Sequence, residues 1–166
     1  MLRHLCSLLI LLIFFCGYAH ADFDDGLSAY KQKDFKKAVA EWRPLAEQGD
    51  MLAQFYLGLV YGFGEGVEKD LKEAVRWWRL SAEQGNVAAQ SNLGFMYKYG
   101  NGVPQDMVLA YMWSKIAATG GASFAEENLE VMLKEMTETD IQKAEQLAKE
   151  WHESHPTVTQ SLRVNP

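Results

Sequence analysis

The chain has 166 residues, 48% apolar and 23% charged, the composition of an ordinary globular protein rather than a disordered or fibrous one. One domain is the default at this length, and such a chain can bury roughly two thirds of its unfolded surface without disulfide or metal staples. A formal charge of −6 with no block of lysines or arginines argues against a nucleic-acid or anionic-membrane footprint.

Residues 1–21 stand apart. Arg3 and His4 make a short basic start, residues 5–16 form a twelve-residue apolar run, and Ala19-His20-Ala21 follows. That order is the pattern of a secretory signal peptide. Twelve residues rise about 18 Å as a helix, short of a bilayer core of about 30 Å, which disfavours a membrane anchor. Phe15 ahead of Cys16 is too large for a lipidation site. Cleavage after Ala21 leaves 166 − 21 = 145 residues starting at Asp22. Both cysteines, Cys6 and Cys16, leave with the leader, so the mature chain has no disulfide and no thiol chemistry. Losing Arg3 leaves 15 basic and 22 acidic residues, a charge of −7. The expectation is an exported protein, periplasmic or secreted, with no stable membrane span once matured.

Residues 22–33 read as an N-terminal capping helix with Leu27 and Tyr30 inward. Residues 34–136 then read as tandem helical units. Residues 38–73 align on 74–109 without a gap, with 17 of 36 positions identical. AVAEWRPLAEQGDMLAQFYLGLVYGFGEGVEKD lies over AVRWWRLSAEQGNVAAQSNLGFMYKYGNGVPQD. A third, decayed copy at 110–136 keeps Ala110, Trp113, Ala118, Gly121, Ala125 and Leu129. In unit two, Asp70 is a candidate N-cap and Gly85 a candidate stop for a helix A over 70–84. Ala74, Trp78 and Ala82 recur every four residues as its apolar-small face. Helix B over 86–99 turns Ala89, Leu93, Met96 and Tyr97 inward, and Gly100-Asn101-Gly102-Val103 closes the unit. Unit one repeats each step with Asp34, Gly49 and Gly64-Glu65-Gly66-Val67.

Ala53, Gly58, Ala89 and Gly94 fall where a larger side chain would hold neighbouring helices apart. A mid-helix glycine costs about 1 kcal/mol against alanine, so a repeated one signals a packing need. Glu130 replaces that glycine in unit three, which fits the end of a stack. Thr139 with Gln142 resembles a capping box. It opens a C-terminal capping helix within 137–155, with Ile141, Ala144, Leu147, Ala148 and Trp151 as its apolar stripe. Residues 156–166 read as a loose tail. One hairpin cannot hide its stripe alone but stacked hairpins can, so the fold class is all-α, an α-solenoid.

On these residues the chain resembles the Sel-1-like repeat family, relatives of the tetratricopeptide repeat. The resemblance implies a right-handed superhelix of antiparallel helix pairs that serves as an adaptor; no cofactor is expected. Some relatives carry a disulfide in each unit and a β-lactam-related label. This chain departs from them in having no cysteine after residue 16.

Catalytic constellations are sparse. Ser28-Ala29-Tyr30-Lys31 matches S-x-x-K, the signature of penicillin-directed acyl transfer, but no S-D-N or K-T-G element follows. His152 and His155 are too few for a metal site. They suit the C-terminus of a helix, where the dipole favours them. Glu126, Glu127 and Glu130 read as a solvated cap face rather than a hydrolytic pair. The Gly-x-Gly loops follow no strand and carry no placed lysine, unlike a phosphate cradle.

Binding of a protein or peptide on the concave surface formed by the A helices is the remaining use. Arg43, Arg79 and Lys115 recur at 36-residue intervals and should form a basic ladder able to hold carboxylates. Alternatively Arg43 pairs with Glu47 and Arg79 with Glu83 inside their own helices. Trp77 and Trp113, also in register, are either core residues or anchors for a partner. Tyr56, Asn92 and Asn128 make a further column on the B helices, where the two asparagines could bond a partner backbone or only a neighbouring turn. A self-associating spacer is the structural alternative.

Overall fold

The structure is a computed structural model that describes residues 22–156, so the signal-peptide and tail expectations lie outside the described residues. Those residues form eight helices in chain order. Helix α1 spans Phe23–Lys31, α2 Phe35–Glu47, α3 Met51–Phe63 and α4 Leu71–Glu83. Helix α5 spans Val87–Tyr99, α6 Met107–Thr119, α7 Ser123–Leu133 and α8 Glu138–Ser154. The helix pairs α2–α3, α4–α5 and α6–α7 are the three units, and no strand occurs among the described residues.

Local chemistry sets the boundaries. The Asp34, Asp50, Asp70, Asn86 and Asp106 side chains each accept from backbone N–H groups in the first turn of their helices. That satisfies donors no helix can satisfy internally. Helices α3 and α5 end on Gly64 and Gly100 in the left-handed region, at φ 77° and 67°, where a side chain would clash. The opening of α8 differs from expectation. Thr137, not Thr139, is the cap: its Oγ1 accepts from the Asp140 N–H at 3.2 Å and donates to the Asp140 carboxylate at 2.8 Å. Asp140 is therefore the residue paired with the cap, through the Thr137 hydroxyl, and the Gln142 side chain instead bonds Glu138.

Stacking runs from each helix B to the next helix A. Helix α3 packs on α4 and α5 on α6. A Cβ on Gly58 would run into the Trp78 indole, and one on Gly94 into the Ser114 hydroxyl. Helix α1 joins the same scheme. A Cβ on its Gly26 would meet the Trp42 indole, whose Nε1 donates to the Phe23 carbonyl at 3.2 Å. The N-terminal cap is thus half a repeat, a helix B without its helix A. Gly26 and Ala29 are its buried residues, while Leu27 and Tyr30 are half-buried.

Buried polar clasps lock the hairpins. Gln54 donates to the Ala46 carbonyl at 3.0 Å, and in the next unit Gln90 donates to Ala82 at 3.1 Å. Between units, Ser81 donates to the Met51 carbonyl at 2.8 Å and Gln84 donates to Gln54 Oε1 at 2.7 Å. These satisfy groups whose burial without a partner would cost about 1–3 kcal/mol each.

The last helix does not continue the stack. Helix α8 makes its close contacts with α6, the helix A of unit three, rather than with α7. Trp151 lies edge-on to Trp113 with centroids 6.2 Å apart and donates from Nε1 to Glu83 at 3.0 Å. The Glu83 carboxylate also meets His155 Nε2 at 3.3 Å. The C-terminal helix thus folds back along the A helices as far as the end of α4.

Candidate binding surfaces

The register column Arg43, Arg79 and Lys115 lies on the helix-A side. Arg43 Nη2 donates to the Tyr61 hydroxyl at 2.6 Å, and Arg79 Nη2 donates to the Tyr97 hydroxyl at 2.6 Å. The two bonds are one repeat apart, and each ties a helix A to its own helix B. Neither arginine has a carboxylate within 4.0 Å among the described residues, so the intrahelical pairs with Glu47 and Glu83 do not form. Each guanidinium presents five N–H donors, so the tyrosine leaves most of the fork unused. The third rung is different: Lys115 Nζ lies 3.6 Å from Glu145 of α8. Arg76, beside the column, is bound to its own Glu73 at 2.6 and 2.9 Å. That guanidinium holds the Glu73 carboxyl below its ordinary range against the opposing effect of burial.

Of the two alternatives for Trp77 and Trp113, their burial is that of core residues. They are 2% and 4% exposed, out of a partner's reach. Arg76 covers the Trp77 ring at 3.8 Å, and Trp151 abuts Trp113. Tyr56 is half-buried, its ring 4.7 Å from that of Trp42. Asn92 and Asn128 are half-buried on α5 and α7, and the structure does not bring them together with the arginine column. Ser28 is exposed on α1 and accepts from Gln32 at 3.1 Å. His155 bonds the Trp151 carbonyl at 2.8 Å and stacks on its ring. Glu126, Glu127 and Glu130 are exposed.

Sequence reasoning missed a second surface. Between α3, α4 and α5 lies a groove of about 460 Å³ walled by Leu59, Phe63, Leu71, Phe95 and Met96, with Trp78 at its base. Asn92, Lys69 and Asn101 supply its polar edge. Phe63, Phe95 and Tyr99 are 69%, 51% and 55% exposed, and the last two rings touch with centroids 4.6 Å apart. A signal was present in the repeat: Leu59 is in register with Phe95, and Phe63 with Tyr99, all outside the inward stripe.

Stacked helix pairs with unlike side chains at matching positions define an α-solenoid repeat protein, a class whose curvature creates extended binding surfaces. The sequence profile of the Sel1 repeat matches residues 52–86 and 87–121. The chain carries two Sel1 repeats and in this resembles the Sel1-like repeat proteins. Among solved structures it is similar to a protective antigen present in uropathogenic Escherichia coli strains displaying an SLR fold. The match has 36% identity and a TM-score of 0.76, and covers 85% of this chain and 31% of that one. It is similar also to a Sel1 repeat protein from Oxalobacter formigenes, at 30% identity and a TM-score of 0.65, covering 78% of this chain and 56% of that one. This chain therefore spans less than two thirds of either. No curated protein matches it.

Proposed function

We propose that the chain is an exported, non-catalytic scaffold that holds an acidic segment of a protein partner against its helix-A wall. Sel1 repeats commonly build protein–protein interaction scaffolds. The observation that carries the finer reading is internal: α8 lies along this wall and sets Glu145 against Lys115, the third rung of the basic column. The chain supplies its own acidic helix to rung three, and Arg43 and Arg79 offer two equivalent rungs with no carboxylate of their own. An exposed ion pair contributes only about 0–1 kcal/mol, so the rungs set register and specificity while apolar contact supplies most affinity.

The test is photo-crosslinking in an envelope extract from a benzophenone amino acid at Lys72 or Lys115, with and without Arg43→Glu/Arg79→Glu. A crosslinked partner that disappears in the double variant supports the reading. Equal crosslinking in the folded double variant overturns it. Export is tested by the N-terminal sequence of the protein recovered from outside the cytoplasm, expected to begin at Asp22.

A further inference from the structure

Helix α8 leaves the stack, and a cluster of side chains fastens its C-terminal end to unit two. His155, the C-cap of α8, stacks on the Trp151 indole, with centroids 4.3 Å apart and an interplanar angle of 15°. Its Nε2 lies 3.3 Å from Glu83 Oε2, the oxygen that also accepts from Trp151 Nε1 at 3.0 Å. Its Nδ1 lies 2.8 Å from the Trp151 carbonyl. Both ring nitrogens therefore face oxygens that only accept. A neutral imidazole has one N–H, so one of the two approaches would set lone pair against lone pair. The Ser154 hydroxyl, 3.0 Å from Nδ1, already donates to the same carbonyl at 2.9 Å. An imidazolium satisfies both contacts at once. A cation also suits the face of an indole and the C-terminus of a helix.

We propose that His155 closes this latch as an imidazolium, so that mild acid tightens α8 on unit two and rising pH loosens it. The device is independent of the helix-A function, because it concerns how the chain holds its own last helix. Helix α8 also sets Glu145 against Lys115, so the same proton governs how firmly the third rung stays covered. A proton that completes a contact stabilises it fully where the released imidazole is already charged, below about pH 6.5, and the contribution is lost as pH rises. The other charges around the cluster leave this direction unchanged. From α4 the facing group is Glu83. From α6 it is Lys115, and from α8 itself Glu145, Lys149, His152 and Glu153, which together line a cavity of about 380 Å³. Lys115 lies 3.6 Å from Glu145 and Lys149 3.8 Å from Glu153, so these four residues carry no net charge. His152 is the opposing group. Burial, then the charge of His155, holds its imidazole below 6.5, so it charges only at lower pH and would then work against the latch.

Hydrogen exchange of the full chain, followed by NMR at pH 5.5 and 8.0, tests the latch, with protection of α8 measured relative to α2 and α3. In wild type the relative protection of α8 should be about threefold higher at pH 5.5, the scale of a partly exposed charge pair. The gain should vanish in His155→Gln. It should vanish also in Glu83→Gln, whose amide oxygen still accepts from Trp151 but carries no charge. His152→Gln should keep the gain or enlarge it, because the opposing group is gone. His155 is half-buried and Glu83 exposed, so helicity by circular dichroism should remain that of wild type. A second reading leaves the histidine in place: its NMR titration midpoint should fall on Glu83→Gln. Equal gains in α8 protection in wild type and His155→Gln overturn the proposal. So does a His155 midpoint that Glu83→Gln leaves unmoved, or α8 protection that falls on going to pH 5.5. None of these results bears on the helix-A function, which stands or falls with Arg43→Glu/Arg79→Glu.

Discussion

Units one and two follow one recipe, and unit three departs from it in its helix B. In the first two, helix B opens on Asp50 or Asn86, ends on a left-handed glycine, and donates a buried glutamine to its helix A. In unit three, helix α7 opens on Ala122 without a side-chain cap bond and ends at Lys134 in the right-handed region. Glu126 stands in register with Gln90, and Glu130 with Gly94, both exposed. Stacking needs a helix B with a glycine where the next helix A brings its large residue. A glutamate at that point is stable only facing water. The stack ends where the glycine ends, and α8 turns back onto α6 instead of adding to α7.

The sharpest way to break this comparison is to remove what closes unit three. Trp151 joins α8 to both Trp113 and Glu83. Trp151→Ala should cost about 3–5 kcal/mol in urea unfolding, the usual result of deleting a buried aromatic. Hydrogen exchange should then show α6 and α7 losing protection before α2 and α3. Uniform loss across all helices would mean that the units are not separable. Glycine substitutions sharpen the contrast. Gly58→Ala drives a methyl into the rigid Trp78 indole, whereas Gly94→Ala meets chiefly a Ser114 hydroxyl that can rotate, with the Ala110 carbonyl and the Ser114 N at 3.3 Å. The first should cost about 2 kcal/mol as overpacking. The second should stay within about 1 kcal/mol, because alanine's helix propensity offsets the contact. Equal costs would show that the indole yields as easily as the hydroxyl.

The buried glutamines give a smaller and graded effect. Gln54 bonds both the Ala46 carbonyl and Gln84, while Gln90 has the Ala82 carbonyl. Gln54→Ala should therefore cost about 2 kcal/mol and Gln90→Ala about 1 kcal/mol, read from urea midpoints at constant slope. The reverse order would deny the inter-unit bond its weight.

The solenoid was legible because its causes are local and repeated. Seventeen matching positions in 36 carry the caps, the turn glycines and the close-packing glycines. The basic column was legible as spacing. Its tyrosine partners were not read, although Tyr61 and Tyr97 are themselves one period apart and 18 residues from their arginines. Trp77 and Trp113 could be placed in register but not on a side, because an aromatic at helical spacing suits either core or surface. The route of α8 was beyond reach. It depends on pairs such as Trp151 with Glu83, 68 residues apart, for which a repeat offers no second copy. The groove escaped because it arises from an omission, Gly62 where the next unit has Lys98, and volume is not written in a pattern of apolar residues.

The ends of the stack also differ from its middle in how tyrosines are held, and alkali should reveal it. In the middle, the Tyr61 and Tyr97 hydroxyls accept from arginine. At the N-terminal end, Tyr30 donates to Glu65 at 2.8 Å. Burial, then that bond and the adjacent carboxylate charge, push the Tyr30 phenol from 10.0 up to about 12. At the other end, burial and Glu145 raise Tyr111 in the same direction. A phenol with a raised folded-state value keeps its proton more firmly when folded. Its stabilising effect is whole below about pH 10, where the unfolded chain is also protonated, and is lost as pH climbs toward about 12. Urea midpoints taken at pH 9 and 11.5 should therefore converge between wild type and Tyr30→Phe as pH rises. The phenylalanine has no bond to Glu65 to lose and no proton to release. If the two proteins lose stability in parallel across that window, the Tyr30–Glu65 bond does not couple the half-repeat α1 to unit one. The N-terminal end would then be held by the packing of α1 on Trp42 and Tyr56 and by the Trp42–Phe23 hydrogen bond.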